Sequence, residues 1–161
     1  MNNHKWILLA EDDAAIAQLT TMSLNADKLG FTILVARDGL EALDCLYHRG
    51  AFQTRESGRP AVVLLDLKMP RLDGLEVLRR IKADERLRSV PVVMFTSSRQ
   101  ESDLVRSYHL GANAYVVKPV DFHEFSRALK LVAEFWTTIN ETLPEDCLEA
   151  RNQHSQLAAA G

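Results

Sequence analysis

A continuous apolar run that stops abruptly on a carboxylate constrains the fold of this chain more than any other feature. Residues 62–65 are Val-Val-Leu-Leu, and Asp66 follows them directly. A run of this length bounded by turn-forming residues is typical of a strand buried on both faces of a parallel sheet. Ligands bind at the carboxyl ends of the strands in such sheets. Asp66 is therefore a candidate for a chemical role, although an aspartate that only begins the turn at Met69 and Pro70 would give the same pattern.

Short apolar runs alternate with amphipathic segments along the rest of the chain. Four further strands are predicted over residues 6–10, 31–36, 92–96 and 114–117. Helices are predicted after each strand, the first ending at Gly30 and the second at Gly50, and residues 51–60 are predicted to be a surface loop. Ser98 and Asp121 each precede a glutamate by three residues, which is a helix-capping pattern. The fifth helix is predicted to carry an apolar stripe of Phe122, Phe125, Leu129, Val132 and Trp136.

Five strand-helix units in succession predict an α/β fold of the flavodoxin-like (βα)5 type. Its parallel sheet is doubly wound, with the strand order 2-1-3-4-5. Strands one and three are neighbours in this order, so Glu11 and Asp12 at the end of strand one are expected to face Asp66. Strands four and five would bring Thr96 and Lys118 to the same edge.

The predicted cluster of charges indicates a metal and a phosphoryl group. Three carboxylates at one edge raise one another's pKa unless a cation holds them. Mg²⁺ prefers oxygen ligands, so Asp12 and Asp66 are expected to bind it directly and Glu11 through water. Lys118 adds a positive charge and Thr96 a hydroxyl donor. This set suits phosphoryl transfer to a carboxylate, with Asp66 as the nucleophile.

Four motifs in this order resemble those of the receiver domains of two-component response regulators. They occupy residues 8–13, 64–74, 95–98 and 115–119, and the resemblance extends from residue 5 to about residue 140. It implies that a histidine kinase phosphorylates Asp66. It further implies that Mg²⁺ is bound by Glu11, Asp12, Asp66 and the backbone carbonyl of Lys68, and that Thr96 and Tyr115 act as switch residues.

The segment before strand three and residues 135–144 are similar to those of stand-alone response regulators associated with bacterial phytochromes. This resemblance implies a kinase of the phytochrome type as partner. Phe135, Trp136 and Ile139 extend the fifth helix beyond the length of the sheet, and exposed apolar patches usually mark interfaces. A homodimer through the fourth helix, fifth strand, fifth helix and C-terminal extension is therefore expected. The alternative is that Phe135 and Trp136 fold back onto the core of their own domain.

Composition limits the other function classes. The 161 residues are enough for one domain, predicted over residues 1–144, followed by a flexible tail over residues 145–161. A net charge of -3 predicts neither a nucleic acid nor a membrane as partner. No apolar run approaches the roughly 20 residues that span a bilayer. Cys45 and Cys147 suggest neither a zinc site nor a disulfide framework, and a cytoplasmic location is expected.

Two other classes compete with a response regulator. A phosphatase of the haloacid dehalogenase type needs a second aspartate two residues after its nucleophile, and Lys68 occupies that position. A flavin or nucleotide binder on the same fold needs a phosphate-binding loop after strand one, where residues 11–13 are Glu-Asp-Asp and would repel a phosphate. We therefore expect a phosphoacceptor with slow self-dephosphorylation rather than an enzyme, with protein contact as its output.

Overall fold

The computed structural model describes residues 4–25, 30–55 and 58–144, and its strands lie where the apolar runs predicted them. They are β1 (Trp6–Ala10), β2 (Thr32–Ala36), β3 (Val62–Leu65), β4 (Val92–Thr96) and β5 (Ala114–Val117). All four strand pairings are parallel, and the order is β2-β1-β3-β4-β5. The predicted flavodoxin-like (βα)5 sheet is confirmed.

Helices alternate with the strands. They are α1 (Ala14–Asn25), α2 (Gly39–Leu46), α3 (Gly74–Ala83), α4 (Glu101–His109) and α5 (Phe122–Glu134), with a single 3-10 turn at Gly50–Phe52 and a π-helical turn at Phe135–Ile139. No helix among the described residues is both long and apolar enough to cross a membrane.

The three central strands are buried on both faces, which explains their continuous apolar sequences. Every residue of β1, β3 and β4 is buried. Successive side chains of β1 point to opposite faces: Leu8 joins the core formed with α2 and α3, whereas Ile7 and Leu9 join the core formed with α1 and α5. The sheet edge at the carboxyl ends of these strands is therefore held from both sides.

Aspartates cap four of the helices and fix where the chain turns away from this edge. Asp13, Asp38, Asp73 and Asp121 each accept a hydrogen bond from a backbone N–H in the first turn of the following helix. The predicted start of the fifth helix at Asp121 is confirmed. Such caps are each worth about 1 kcal/mol to a helix.

The predicted capping box at Ser98 is wrong. The fourth helix begins at Glu101, and its N-cap residue Gln100 makes no side-chain hydrogen bond to the helix. The Ser98 hydroxyl instead donates to Asp103 at 2.6 Å and accepts from the Gln100 N–H at 3.3 Å. Ser98 lies two residues before the N-cap residue, so its hydroxyl oxygen accepts from the Gln100 N–H rather than from a backbone N–H of the helix.

Several other boundaries differ from the prediction. Helix α2 ends at Leu46, before Gly50, and the predicted loop includes a turn of 3-10 helix. Phe122 is 53% exposed, so the buried stripe of α5 begins at Phe125. Helix α1 is described to Asn25, and residues 26–29, which lead to its predicted end at Gly30, lie outside the described residues. The predicted tail over residues 145–161 likewise lies outside the described residues.

Candidate functional site

Three carboxylates meet at the carboxyl edge of the sheet. Glu11 and Asp12 follow β1 and Asp66 follows β3, and one oxygen from each lies within 4.8 Å of the others. The Asp66 N–H donates to the carbonyl of Ala10 at 3.1 Å, which fixes the two strand ends side by side. Glu11 is 2% and Asp66 9% exposed, whereas Asp12 is exposed to solvent. The predicted juxtaposition of these three residues is confirmed.

Lys118 enters this cluster from the end of β5. Its side chain is buried, and Nζ lies 3.0 Å from Oδ2 of Asp66 and pairs directly with Oε2 of Glu11. The backbone N–H of Lys118 donates to the carbonyl of Thr96 at 2.7 Å, which fixes its position. The sequence placed Lys118 at this edge but did not predict its ion pair with Glu11, because the strand order gives no distances between individual side chains.

The charges in the cluster are coupled. Burial raises the pKa of Glu11, and the hydrogen bond and positive charge of Lys118 only partly oppose this effect. Burial would lower the pKa of Lys118, but its hydrogen bond with Glu11 and the charge of Asp66 outweigh burial and raise it. Lys118 is therefore an ammonium ion. A single ammonium does not neutralise three carboxylates, so the cluster retains an attraction for a divalent cation with oxygen ligands.

The turn after Asp66 is held by backbone contacts. Oδ1 of Asp66 accepts from the N–H of Leu67 at 2.7 Å, which leaves Oδ2 directed at Lys118. The Gly74 N–H donates to the carbonyl of Leu67 at 2.8 Å. A Cβ at Gly74 would lie only 2.0 Å from the backbone oxygen of Asp66, so any other residue would displace this turn.

A chain of hydrogen bonds joins Thr96 to Tyr115. The buried Thr96 accepts from the N–H of Ser98 through Oγ1 at 3.2 Å, and the Tyr115 hydroxyl donates to the Ser98 carbonyl at 3.0 Å. Ser98 also bonds Asp103 of α4, so one residue connects the strand end, the fifth strand and the fourth helix. The sequence indicated Thr96 and Tyr115 but missed this connection because it assigned Ser98 to a helix cap.

Lys68 lies at the rim of the site. It is exposed and lines a groove of about 540 Å³ together with Asp12, Asp73, Asp103 and Arg106. The Lys68 side chain is therefore on the solvent side of the carboxylates. The role of its backbone carbonyl as a metal ligand stays a prediction.

A buried aspartate outside the cluster supports the loop that carries Lys68. Asp38, the N-cap residue of α2, accepts from Nε of Arg71 at 2.8 Å and also pairs with Nη2 of that residue. Burial would raise the pKa of Asp38, but the Glu41 N–H and the Arg71 guanidinium hold it below its ordinary value. The sequence does not single out Asp38, since it gives no sign of a partner 33 residues away.

These features define a class of doubly wound α/β domain that carries three clustered carboxylates, a buried lysine and a buried hydroxyl on neighbouring strand ends. The family model of the response regulator receiver domain matches residues 7–130 of this chain. The chain belongs to this family.

Two relatives match over most of their length. The probable methanogenesis regulatory protein FilR2 of Methanothrix harundinacea is 42% identical over 139 residues, which cover 84% of this chain and 86% of FilR2. The response regulator Rcp1 of Synechocystis sp. is 36% identical over 135 residues, which cover 84% of this chain and 90% of Rcp1.

Solved structures of similar proteins share the fold. The phosphorylated cyanobacterial phytochrome response regulator RcpA is 34% identical, with a TM-score of 0.81 over 88% of this chain and 99% of that one. The bacteriophytochrome response regulator RtBRR is 50% identical, with a TM-score of 0.70 over 98% of this chain and 95% of that one. The Mn²⁺-bound form of Rcp1 is 34% identical, with a TM-score of 0.79 over 87% of this chain and 99% of that one.

Proposed function

We propose that Asp66 accepts a phosphoryl group from a phosphohistidine of a kinase and that the phosphorylated domain signals through protein contacts. The observation that carries this proposal is the position of Asp66, 3.0 Å from the ammonium of Lys118 and within 4.8 Å of Glu11 and Asp12. A carboxylate oxygen of Asp66 forms the new bond to phosphorus while the phosphorus–nitrogen bond of the donor breaks. The imidazole keeps that electron pair.

Mg²⁺ is the cation we propose for the carboxylate cluster. Glu11, Asp12, Asp66 and the carbonyl of Lys68 would hold it, and these oxygen donors suit a hard divalent ion. The bound ion would offset the charge on the phosphoryl oxygens during transfer. The Mn²⁺-bound form of the relative Rcp1 supports a divalent ion in a protein of this family.

Thr96 and Tyr115 are proposed as the switch. The Thr96 hydroxyl would contact a phosphoryl oxygen, and Lys118 would contact another. A movement of Thr96 toward Asp66 would break its hydrogen bond from the Ser98 N–H, and Ser98 also holds the hydroxyl of Tyr115. A local contact would thereby change the packing of Tyr115 against α4.

A histidine kinase of the phytochrome type is the proposed phosphoryl donor, and the cytoplasm is the proposed location. The support is the similarity to RcpA, which is described as a phytochrome response regulator, and to RtBRR, which is described as a bacteriophytochrome response regulator. We propose no nucleic-acid or membrane partner, in keeping with the net charge of -3.

A homodimer is proposed through α4, β5, α5 and the extension that follows α5. Trp136 is half-buried against the core of its own domain, as the folded-back alternative expects. Phe135 and Ile139, in contrast, are 44% and 64% exposed. Their apolar surface beside α5 suits a second copy of the same helix.

Sedimentation velocity tests the dimer. The wild type is expected to associate with rising concentration, and Ile139→Ser is expected to prevent this association. Met22→Ser is the matched control, since Met22 is 63% exposed on α1. A wild type that stays monomeric at every concentration, with and without a phosphodonor, contradicts the proposal.

Incubation with acetyl phosphate tests the phosphoacceptor. The wild type is expected to gain one phosphoryl group by intact mass when Mg²⁺ is present and none when a chelator removes it. Asp66→Asn should gain none, whereas Asp73→Asn, which changes an exposed carboxylate in the following loop, should gain one. Stable Mg²⁺-dependent phosphorylation of Asp66→Asn would overturn the assignment.

A further inference from the structure

The opposite end of the molecule carries two joined grooves lined by arginines. Arg49, Arg79, Arg80 and Arg86 line the larger groove, of about 700 Å³, and Arg55, Arg59 and Arg86 line the smaller one. Both grooves also include Tyr47, so they form one continuous surface. We call the surface formed by Tyr47 and these six arginines the arginine surface.

The arginine surface lies away from Asp66. Tyr47 follows the last residue of α2, Arg59 precedes β3 and Arg86 precedes β4. These positions belong to the amino-terminal edge of the sheet, whereas Asp66 lies at the carboxyl edge. The phosphoacceptor therefore does not account for the arginines.

Charge is distributed unevenly between this region and the rest of the chain. Residues 47–60 and 74–90 contain eight Lys and Arg against four Asp and Glu, a net charge of +4, while the remaining residues carry -7. Among the described residues, Asp84 is the only carboxylate that lines either groove. An otherwise acidic protein thus presents a concentrated positive surface.

Contacts within the surface hold the guanidinium groups in place. The guanidiniums of Arg49 and Arg86 lie 4.7 Å and 5.5 Å from the centroid of the Tyr47 ring. The Tyr47 hydroxyl donates to Asp84 at 2.8 Å, and Asp84 also pairs with Arg86 at 3.3 Å. The aromatic ring therefore holds two of the guanidinium groups beside it by cation–π contact.

The other arginines are positioned by different partners. Glu76 pairs with Arg79 at 2.7 Å and with Arg80 at 2.8 Å, so two guanidiniums share one carboxylate. Arg55 donates to the carbonyls of Cys45 and Gly58. Side chains that are already ordered lose less entropy when a ligand binds.

We propose that the arginine surface docks an acidic segment of a partner protein through its Asp and Glu side chains. Guanidinium groups bind carboxylates through two parallel hydrogen bonds. In the ion pairs with Asp44, Glu76 and Asp84 the arginine side chains are 44–64% exposed, so these pairs contribute little energy and an incoming carboxylate can exchange with them.

The short range of electrostatic attraction distinguishes an acidic peptide from larger polyanions as the ligand of this surface. Screening limits attraction between exposed charges to about 8–10 Å in physiological salt. A short acidic segment that lies in the grooves interacts mainly with the arginines. A nucleic acid or an anionic membrane would extend over the surrounding protein, which carries a net charge of -7. The uneven distribution of charge over the chain therefore favours a short acidic peptide as the ligand.

Fluorescence anisotropy of a labelled peptide of alternating glutamate and serine tests the proposal on the full chain. The wild type is expected to bind the peptide and to lose affinity as salt rises. The double variant Arg49→Gln, Arg86→Gln should weaken binding by at least about tenfold. Arg127→Gln is the matched control, because Arg127 is an exposed arginine of α5 paired with Glu124 at 3.7 Å, and its affinity should be that of the wild type.

Three outcomes would overturn the proposal. They are no binding by the folded wild type at low salt, equal binding by the double variant, and tighter binding of oligothymidylate or anionic vesicles than of the peptide. A glutamine version of the peptide should not bind. Asp66→Asn should bind the peptide normally, so this result is independent of the proposed phosphorylation.

Discussion

The two ends of the sheet use charge in opposite ways. At the carboxyl edge, Glu11 and Lys118 form an ion pair whose side chains are 2% and 5% exposed, and Asp66 joins it. At the other edge, Arg86 pairs with Asp84 while its side chain is 64% exposed. Breaking a buried pair leaves an uncompensated charge without water, whereas an exposed group is rehydrated. The buried pair of Glu11 and Lys118 suits chemistry at a fixed position. The exposed pair of Arg86 and Asp84 suits the exchange of one carboxylate partner for another.

The pKa shifts follow the same contrast. Lys118 keeps a raised pKa only because its hydrogen bond with Glu11 and the charge of Asp66 overcome the effect of burial. Glu76 is half-buried, with its side chain 30% exposed, and its hydrogen bonds with Arg79 and Arg80 lower its pKa to about 2. The Glu76 carboxylate therefore remains ionised throughout the physiological pH range.

The largest effect is expected for Lys118→Met. This change leaves Glu11 buried without its cation, so the free energy of unfolding should fall by about 3–5 kcal/mol in chelator. Phosphoryl uptake from acetyl phosphate should fall by roughly 10²–10³, since a charged contact to the phosphoryl group is lost. Urea denaturation and intact mass measure the two effects. Lys68→Met, which changes an exposed lysine at the same edge, should leave stability nearly unchanged; equal stability of Lys118→Met and the wild type contradicts the account.

A comparison of two aspartate–arginine pairs sharpens the contrast. Asp38→Ala removes the N-cap of α2 and the partner of Arg71, so we expect a loss of about 2–3 kcal/mol. Asp84→Ala, at the arginine surface, should cost less because Asp84 lies at the end of α3 and caps no helix N-terminus, while the arginine partners of both aspartates are exposed. Urea denaturation of both variants measures the difference. A larger loss for Asp84→Ala would contradict the ranking.

The contribution of Asp38 should also depend on pH. Its pKa is lower in the folded chain than the ordinary value of 3.8, so its ionised form stabilises the fold at pH values above 3.8. This contribution is lost as the pH falls through the lowered pKa. Asp38→Asn retains a capping side chain without the charge, so its stability should approach that of the wild type only at acidic pH.

The sequence predicted which residues lie at the carboxyl edge of the sheet, because each of them stands at the end of a strand that its apolar run makes visible. The apolar run before Asp66 gave the strand, and the order of the units brought Glu11, Thr96 and Lys118 to the same place. Spacing along the chain could not predict which side chains touch. The ion pair of Asp38 with Arg71 was therefore not predicted. Ser98 was assigned to a helix cap, although its hydroxyl donates to Asp103.

The arginine surface illustrates the same limit more strongly. Arg49 and Arg86 are 37 residues apart and meet only because each lies beside the Tyr47 ring. No motif joins them, and the overall net charge of -3 conceals the local excess of positive charge. Composition is an average over the chain, so it cannot reveal a surface that the fold assembles.

A smaller kinetic effect is expected at Lys68. Its exposed side chain lies at the rim of the site, where it should hinder the water that attacks the aspartyl phosphate without orienting it. We expect slow self-dephosphorylation of the wild type, and a several-fold faster decay for Lys68→Asn. Intact mass over time after removal of the phosphodonor measures the rate. An unchanged decay rate would exclude this role for Lys68.

The smallest effect on fold and chemistry is expected at the arginine surface. Arg86→Gln should change the free energy of unfolding by less than about 1 kcal/mol, because exposed ion pairs contribute little. Phosphoryl uptake by Asp66 should be unchanged. Urea denaturation and intact mass on the same sample check both statements. A large loss of uptake would show that the two ends of the sheet do not act separately.

The most direct test of the account locates the phosphoryl group. Reduction of the phosphorylated wild type with borohydride converts an aspartyl phosphate to homoserine, and peptide mass spectrometry then identifies the position. The account predicts conversion at Asp66 alone, only when both Mg²⁺ and the phosphodonor were present. Conversion at Asp12, Asp73 or any other carboxylate, with Asp66 unmodified, would contradict it.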